Sequence, residues 1–149
     1  MARLVQVWRD EVPPAPMLAT AAEPTAVNLD NPALIYEQKF DGIRAIVVVE
    51  PGRPTPRVAI LSRNGHDKSA QFPEIVRALR ELSAQVEVPL VLDGEIVALD
   101  SQGRPASFSA LQSRMHLTGA AAISSRAATT PTALVVFDLL REGKEDLRP

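Results

Sequence analysis

The chain contains no cysteine, which excludes disulfide bridges and cysteine-ligated zinc and fits a reducing compartment. Its two histidines, His66 and His116, stand too far apart in the chain to form a metal cluster. No run of residues is long and apolar enough to span a bilayer, and the N-terminus lacks a basic stretch followed by an apolar one. Neither membrane insertion nor export is therefore expected, and the expected location is cytoplasmic. A phosphate loop of the G-x-x-x-x-G-K-[S/T] type is also missing, so any nucleotide must be held by other means. An excess of positive charge is lacking too: the net charge is −2, and affinity for a polyanion would have to come from a local basic face. Arg44, Arg53, Arg57, Arg63 and Lys68 are the candidates for that face; otherwise they line a solvated strand edge.

What is present suffices for one compact domain: 149 residues, 46% hydrophobic and 23% charged, are ordinary for a folded soluble chain. Residues 1–32 are proline-rich with few periodic apolar positions and are expected to form an extended lead-in. Residues 33–149 carry the folded part. Within it, Tyr36-Glu37-Gln38-Lys39-Phe40-Asp41-Gly42-Ile43-Arg44 sets a lysine and an arginine around an Asp-Gly pair. Leu34 to Lys39 and Ile43 to Glu50 both read as strands, and Asp-Gly between them predicts a two-residue hairpin turn. In that hairpin Lys39 lies opposite Arg44, and a neighbouring cation favours the uncharged amine that a nucleophilic lysine needs. An ordinary structural hairpin would carry the same pattern.

Two further segments stand out. Val91 to Asp100 holds Asp93-Gly94-Glu95 inside an apolar run, where the glycine predicts a bulge or a close backbone approach. Leu134 to Leu140 is apolar enough to suggest a strand buried on both faces, with Asp138 in its middle requiring a partner. Arg57 to Arg63 alternates as a strand, and Asn64-Gly65 supplies a turn. Phe72, Ile75, Val76, Leu79 and Leu82 recur at helical spacing behind Pro73, which predicts a core-packing helix. Ser107 to His116 is a shorter helix, with Phe108, Leu111 and Met115 on one side and Gln112 and Arg114 directed elsewhere, to solvent or ligand. Residues 118–132, rich in Ala, Ser and Thr, lack a period and suggest a mobile connection or a weak helix. Strands arranged as hairpins predict an α+β fold, a mainly antiparallel twisted sheet with packed helices.

In order, these segments resemble the adenylation (nucleotidyltransferase) domain of ATP-dependent DNA ligases, and are most similar to those of bacterial end-joining and repair ligases. The family's K-x-D-G-x-R signature stands as Lys39-Phe40-Asp41-Gly42-Ile43-Arg44, with its upstream acid at Glu37. Its S-R-N/D-G element resembles Ser62-Arg63-Asn64-Gly65, and its D-G-E element Asp93-Gly94-Glu95. Its aromatic-bearing strand resembles Val136-Phe137-Asp138-Leu139-Leu140. Phe108 to Arg114 resembles the bacterial F-x-x-L-Q-x-R helix, and Pro16-Met17-Leu18-Ala19 the P-M-L-A lead-in. RNA ligases and capping guanylyltransferases share the lysine signature, but the Ser62 to Gly65 element and the Leu111-Gln112 helix favour DNA ligase.

The resemblance implies ATP as cofactor and Mg2+ as metal. It implies that Lys39 becomes adenylated, with Glu37 near the base, Phe137 stacked on adenine, and Arg44 on the ribose. Glu95 would serve the ribose or the metal, and Arg63 the nucleotide or a DNA phosphate. Asp41, Gly42, Asp93 and Gly94 support these motifs. It also implies nicked double-stranded DNA as partner, with AMP passing to the nick 5′-phosphate before sealing in repair or recombination. The family's later E-G-x-x-x-K and K-x-K elements and its oligonucleotide-binding-fold domain have no counterpart here. Glu142-Gly143-Lys144 lacks the spaced lysine and reads as a polar turn. Residues 33–149 are thus expected to be a partial adenylation domain: a gene fragment, a truncated non-catalytic remnant that binds nucleotide or DNA weakly, or one half of a site completed by a separate polypeptide. Independent nick sealing is not expected.

Overall fold

The computed structural model describes residues 16–17, 20–21, 23, 30–52 and 55–148. Most of the lead-in expected over 1–32, together with Leu18, Ala19, Arg53 and Pro149, lies outside them. Five strands, β1 (Ile43–Glu50), β2 (Arg57–Ser62), β3 (Leu90–Ala98), β4 (Thr132–Glu142) and β5 (Glu145–Asp146), form one sheet. Their order is β2-β1-β3-β4-β5, and every neighbouring pair is antiparallel. Among the described residues three α-helices accompany it, α1 (Pro73–Ser83), α2 (Phe108–Met115) and α3 (Ala120–Thr129), with a short 3-10 turn at Ser69–Gln71 before α1. The fold is α+β, as the sequence predicts. No helix among the described residues is long and apolar enough to cross a membrane.

The β-branched run of β1 fills the centre of the sheet, and residues 45–50 are buried because both faces of this strand are covered. On one face Ala45, Val47 and Val49 join Ile60, Leu92, Ile96 and Ala98 beneath Phe72, Ile75, Leu79 and Leu111. Burial of side chains of this size contributes about 1.5–3 kcal/mol each. Helix α1 supplies its apolar stripe to this face, with Pro73 at its first position and Glu74 in its first turn, where the helix dipole favours an acid. The opposite face holds a smaller cluster of Ile46, Val48, Ala59, Leu61, Val91 and Leu140.

Several expectations change. Leu34 to Lys39 forms no strand, and Asp41-Gly42 is not a hairpin turn; β1 already pairs with β2 on one edge and β3 on the other, leaving no slot for a third neighbour. β4 is not buried on both faces, since Val136 and Phe137 are exposed. Its register against β3 shifts twice: Asp93 faces Asp138 while Gly94 faces Val136, and Leu92 faces Leu139 while Val91 faces Arg141. Phe137 and Leu140 are therefore the extra residues of two bulges. Of the two alternatives for residues 118–132, the helix is the one formed, as α3 over 120–129; alanine favours it, and with Ile123 as its buried residue it leaves little apolar period to detect. Glu142-Gly143-Lys144 is indeed a turn, joining β4 to β5 with Gly143 at φ 57°.

Arg114 faces neither solvent nor a ligand. It is fully buried, donates to both carboxylate oxygens of Glu74, to the carbonyls of Gln71 and Thr130 and to the Thr132 hydroxyl, and lies over the Phe72 ring. Thr132 in turn donates to Glu74 at 2.6 Å. A buried charge needs such partners; Nη1 and Nη2 have them while Nε has none, and the network ties α1, α2 and the start of β4 together. Gln112 is exposed.

Candidate active site

Residues 34–41 run without regular structure into β1 and present Lys39 on an exposed loop. Two anchors hold that loop. Asp41 Oδ2 accepts the backbone N–H of Phe108 at 3.4 Å, at the start of α2. Gly42 lies so close to β3 that a Cβ there would overlap the Ile96 carbonyl, and its N–H bonds Glu95. The glycine is required by close backbone approach rather than by a turn.

Across β1–β3, Arg44 lies opposite Glu95, not Lys39. Its Nε and Nη2 donate to Asp93 Oδ1 and Oδ2 at 2.6 and 2.7 Å, a two-bond pair in which the acid is almost fully buried. The same guanidinium lies 4.6 Å from the Phe137 ring centroid and donates to the Met17 carbonyl at 3.4 Å. The Asp93 bond raises the Arg44 pKa against burial, with help from Glu95 and Asp138. Arg44 thus spends its charge on Asp93, and the sequence argument that made it an opposing neighbour of Lys39 has no geometric basis.

Glu95 is held above its ordinary pKa by burial, opposed by Arg44, the Gly42 N–H and Lys39. Gly94 brings the strands together: a Cβ there would lie 2.5 Å from the Val135 carbonyl oxygen. The bulge beside it projects Phe137 and Asp138 to the same side as Arg44. The result is a cleft of about 1040 Å³ into which Glu37, Lys39, Arg44, Glu95, Phe137 and Asp138 all open. Five of these six residues were candidates from sequence. From sequence Asp138 is only an acid in an apolar strand, and its place directly after Phe137 is the signal that points to the cleft.

Asp93 stands behind Arg44 rather than in the cleft wall. Arg63 sits in the exposed turn after β2 and does not line the cleft. The register of Ala45 with Ser62 puts that turn at the cleft end of the sheet, across β1 from β3. Arg57 opens β2 at its other end, so the basic residues expected to share a face are divided. Among the described residues no cluster of three acids or histidines is arranged to hold a metal. The cleft carboxylates Glu37, Glu95 and Asp138 are compatible with the habit of Mg2+, which takes one or two carboxylates and completes its shell with phosphate and water oxygens.

The cleft therefore offers a lysine amine, a fixed guanidinium, a half-buried carboxylate and an exposed aromatic face. Comparison with known proteins is consistent with this arrangement. The family described as ATP dependent DNA ligase domain matches residues 16–148. "DNA ligase C" of Mycobacterium tuberculosis is 36% identical over 134 residues, covering 90% of this chain and 33% of that protein. The "Bifunctional non-homologous end joining protein LigD" of Bacillus subtilis is 38% identical over 114 residues, covering 75% of this chain and 18% of that one. The solved structure of a mycobacterial DNA ligase D complexed with ATP and MES superposes with a TM-score of 0.53 at 34% identity, covering 74% of this chain and 30% of that chain. The chain thus spans a third or less of the length of these proteins.

Proposed function

This chain belongs to the ATP-dependent DNA ligase family, and from that membership we propose that its cleft binds ATP and that Lys39 Nζ takes up AMP. The unprotonated amine attacks the α-phosphorus. A P–N bond forms, the bond from the α-phosphorus to the bridging oxygen breaks, pyrophosphate leaves with that electron pair, and Nζ releases one proton. Phe137 stacks on adenine, a contact of about 1–3 kcal/mol. Glu37 lies beside the base, and Arg44, aimed by Asp93, meets the ribose. Glu95 serves the ribose or a magnesium ion. Mg2+, when bound, would neutralise phosphate charge. Arg63, outside the cleft, is assigned to a DNA phosphate.

The reaction of the family supports nicked double-stranded DNA as the proposed partner: its 5′-phosphate would receive AMP and its 3′-hydroxyl would then displace AMP to join the strands in repair or recombination. One observation carries the proposal. Lys39, Arg44, Glu95 and Phe137, from three separate stretches of chain, open into a single cleft. Intact-mass spectrometry after incubation with ATP and magnesium tests it. An AMP adduct present in the wild type and absent in Lys39→Ala is expected; no adduct from a folded chain overturns the catalytic reading.

A second reading, a cleft that binds nucleotide or DNA only weakly and turns nothing over, is favoured by its excess of negative charge, which opposes a phosphate ligand. With Arg44 paired to Asp93, Lys39 stands against Glu37, Glu95 and Asp138. Under this reading ATP binds but no adduct forms. An adduct that appears only when a second polypeptide is added would assign the site to two chains.

A further inference from the structure

The lead-in meets the cleft at Met17. Pro16 is buried, yet Met17 is 77% exposed and lines the cleft beside Phe137 and Lys39. Single exposed apolar side chains are ordinary. This one differs because its backbone is fastened: its carbonyl accepts from Arg44, the guanidinium that Asp93 locks and that covers the Phe137 ring. Met17 and Phe137 are thus both immediate neighbours of one immobilised group. Val136 and Phe137, 46% and 36% exposed, add apolar surface to the same cleft, whose other principal groups are charged. Exposed apolar groups from two distant parts of the chain, gathered around a guanidinium whose charge Asp93 already offsets, suit the flat apolar end of a ligand. A thioether on an unbranched, polarisable side chain adapts well to an aromatic surface.

We propose that Met17 is a further nucleotide-contacting residue: its thioether packs on the purine base that Phe137 stacks, so that this side chain forms one wall of the site. This rests on the nucleotide reading above. The test is direct binding to the full chain, by calorimetry, of two probes, ATP and inorganic tripolyphosphate, which has phosphates but no base. Met17→Ala is expected to weaken ATP binding about fivefold to tenfold and to leave tripolyphosphate binding unchanged, while Met17→Leu restores most of the loss. Saturating ATP is also expected to slow peroxide oxidation of the Met17 thioether. Equal ATP affinity in wild type and Met17→Ala, or equal losses for both probes, overturns the base contact and leaves nucleotide binding standing. Failure of the folded wild type to bind ATP overturns both.

Discussion

Asp93 holds Arg44 diagonally across the β1–β3 pair: it sits opposite Ile46 in the register, yet takes both Nε and Nη2 of the arginine two positions away. Arg44 is partly exposed and Asp93 is not, so the acid sets the position and the arginine presents it to the cleft. Asp93→Asn keeps the shape and removes the charge. It is expected to cost about 1.5–3 kcal/mol, read from the urea midpoint, and to lower the rate of Lys39 adenylation more than Arg63→Ala does. Equal rates in the two variants would detach Asp93 from the site.

Gly94 is expected to be far less replaceable than Gly65. A Cβ at Gly94 drives into the Val135 carbonyl and pushes away the strand that carries Phe137, whereas nothing lies within 4 Å of one at Gly65, where only φ 76° opposes it. Gly94→Ala should cost about 1–3 kcal/mol as an overpacking change and reduce ATP affinity; Gly65→Ala should cost about 1–2 kcal/mol and leave affinity unchanged. Calorimetry on the two variants separates the effects.

The Arg114 network predicts strong coupling. Arg114→Met leaves Glu74 partly buried without its cation and should cost about 3–5 kcal/mol. Adding Glu74→Leu should recover part of that loss, and a double-mutant cycle in urea measures the difference. Additive costs would show that the two residues act separately.

Acid sensitivity has a defined sign. Burial raises the Glu74 pKa, but the hydrogen bonds from Arg114 and Thr132 outweigh it and hold the carboxyl below its ordinary value. The folded state therefore binds this proton more weakly than the unfolded chain, so the contribution is complete above the ordinary carboxylate value, about 4.3, and is lost as pH falls through the folded value. Glu95, raised by burial, has the opposite sign: its contribution is present at low pH and lost as pH rises through its folded value. Glu74→Gln should flatten the acid limb of stability against pH, and Glu95→Gln should raise stability near neutrality. An unchanged acid limb in Glu74→Gln would contradict the network.

Much of this was legible in the sequence. β1, β2, α1 and α2 follow from apolar period and turn chemistry, and Gly94 makes the close backbone approach that its position in an apolar run suggests, while the bulge beside it falls on β4. The hairpin does not form because Asp-Gly signals a turn only when the flanking strand has a free neighbour, and β1 has none. Arg114 was misplaced because a charge on a short helix normally faces water; its burial depends on Glu74, forty positions earlier, and on carbonyls that composition does not reveal. The cleft residues were found through ordered motifs, but the pairing of Arg44 with Asp93 required the register.

The paired irregularities of β4 make it a strand with two phases. Its alternation slips at Phe137 and again at Leu140, so Leu134 and Leu139, an odd number of positions apart, both pack against the helix-covered core. A regular strand of the same composition would send one of them to the other side. Removing Phe137 from β4 would yield a tidier sheet in which Val136 and Asp138 keep their partners and their faces, and only the aromatic would be lost from the cleft. Across sequence variants, the extra residue at this point is expected to be held strictly, because the bulge is what sets an aromatic at the cleft without turning its neighbours over.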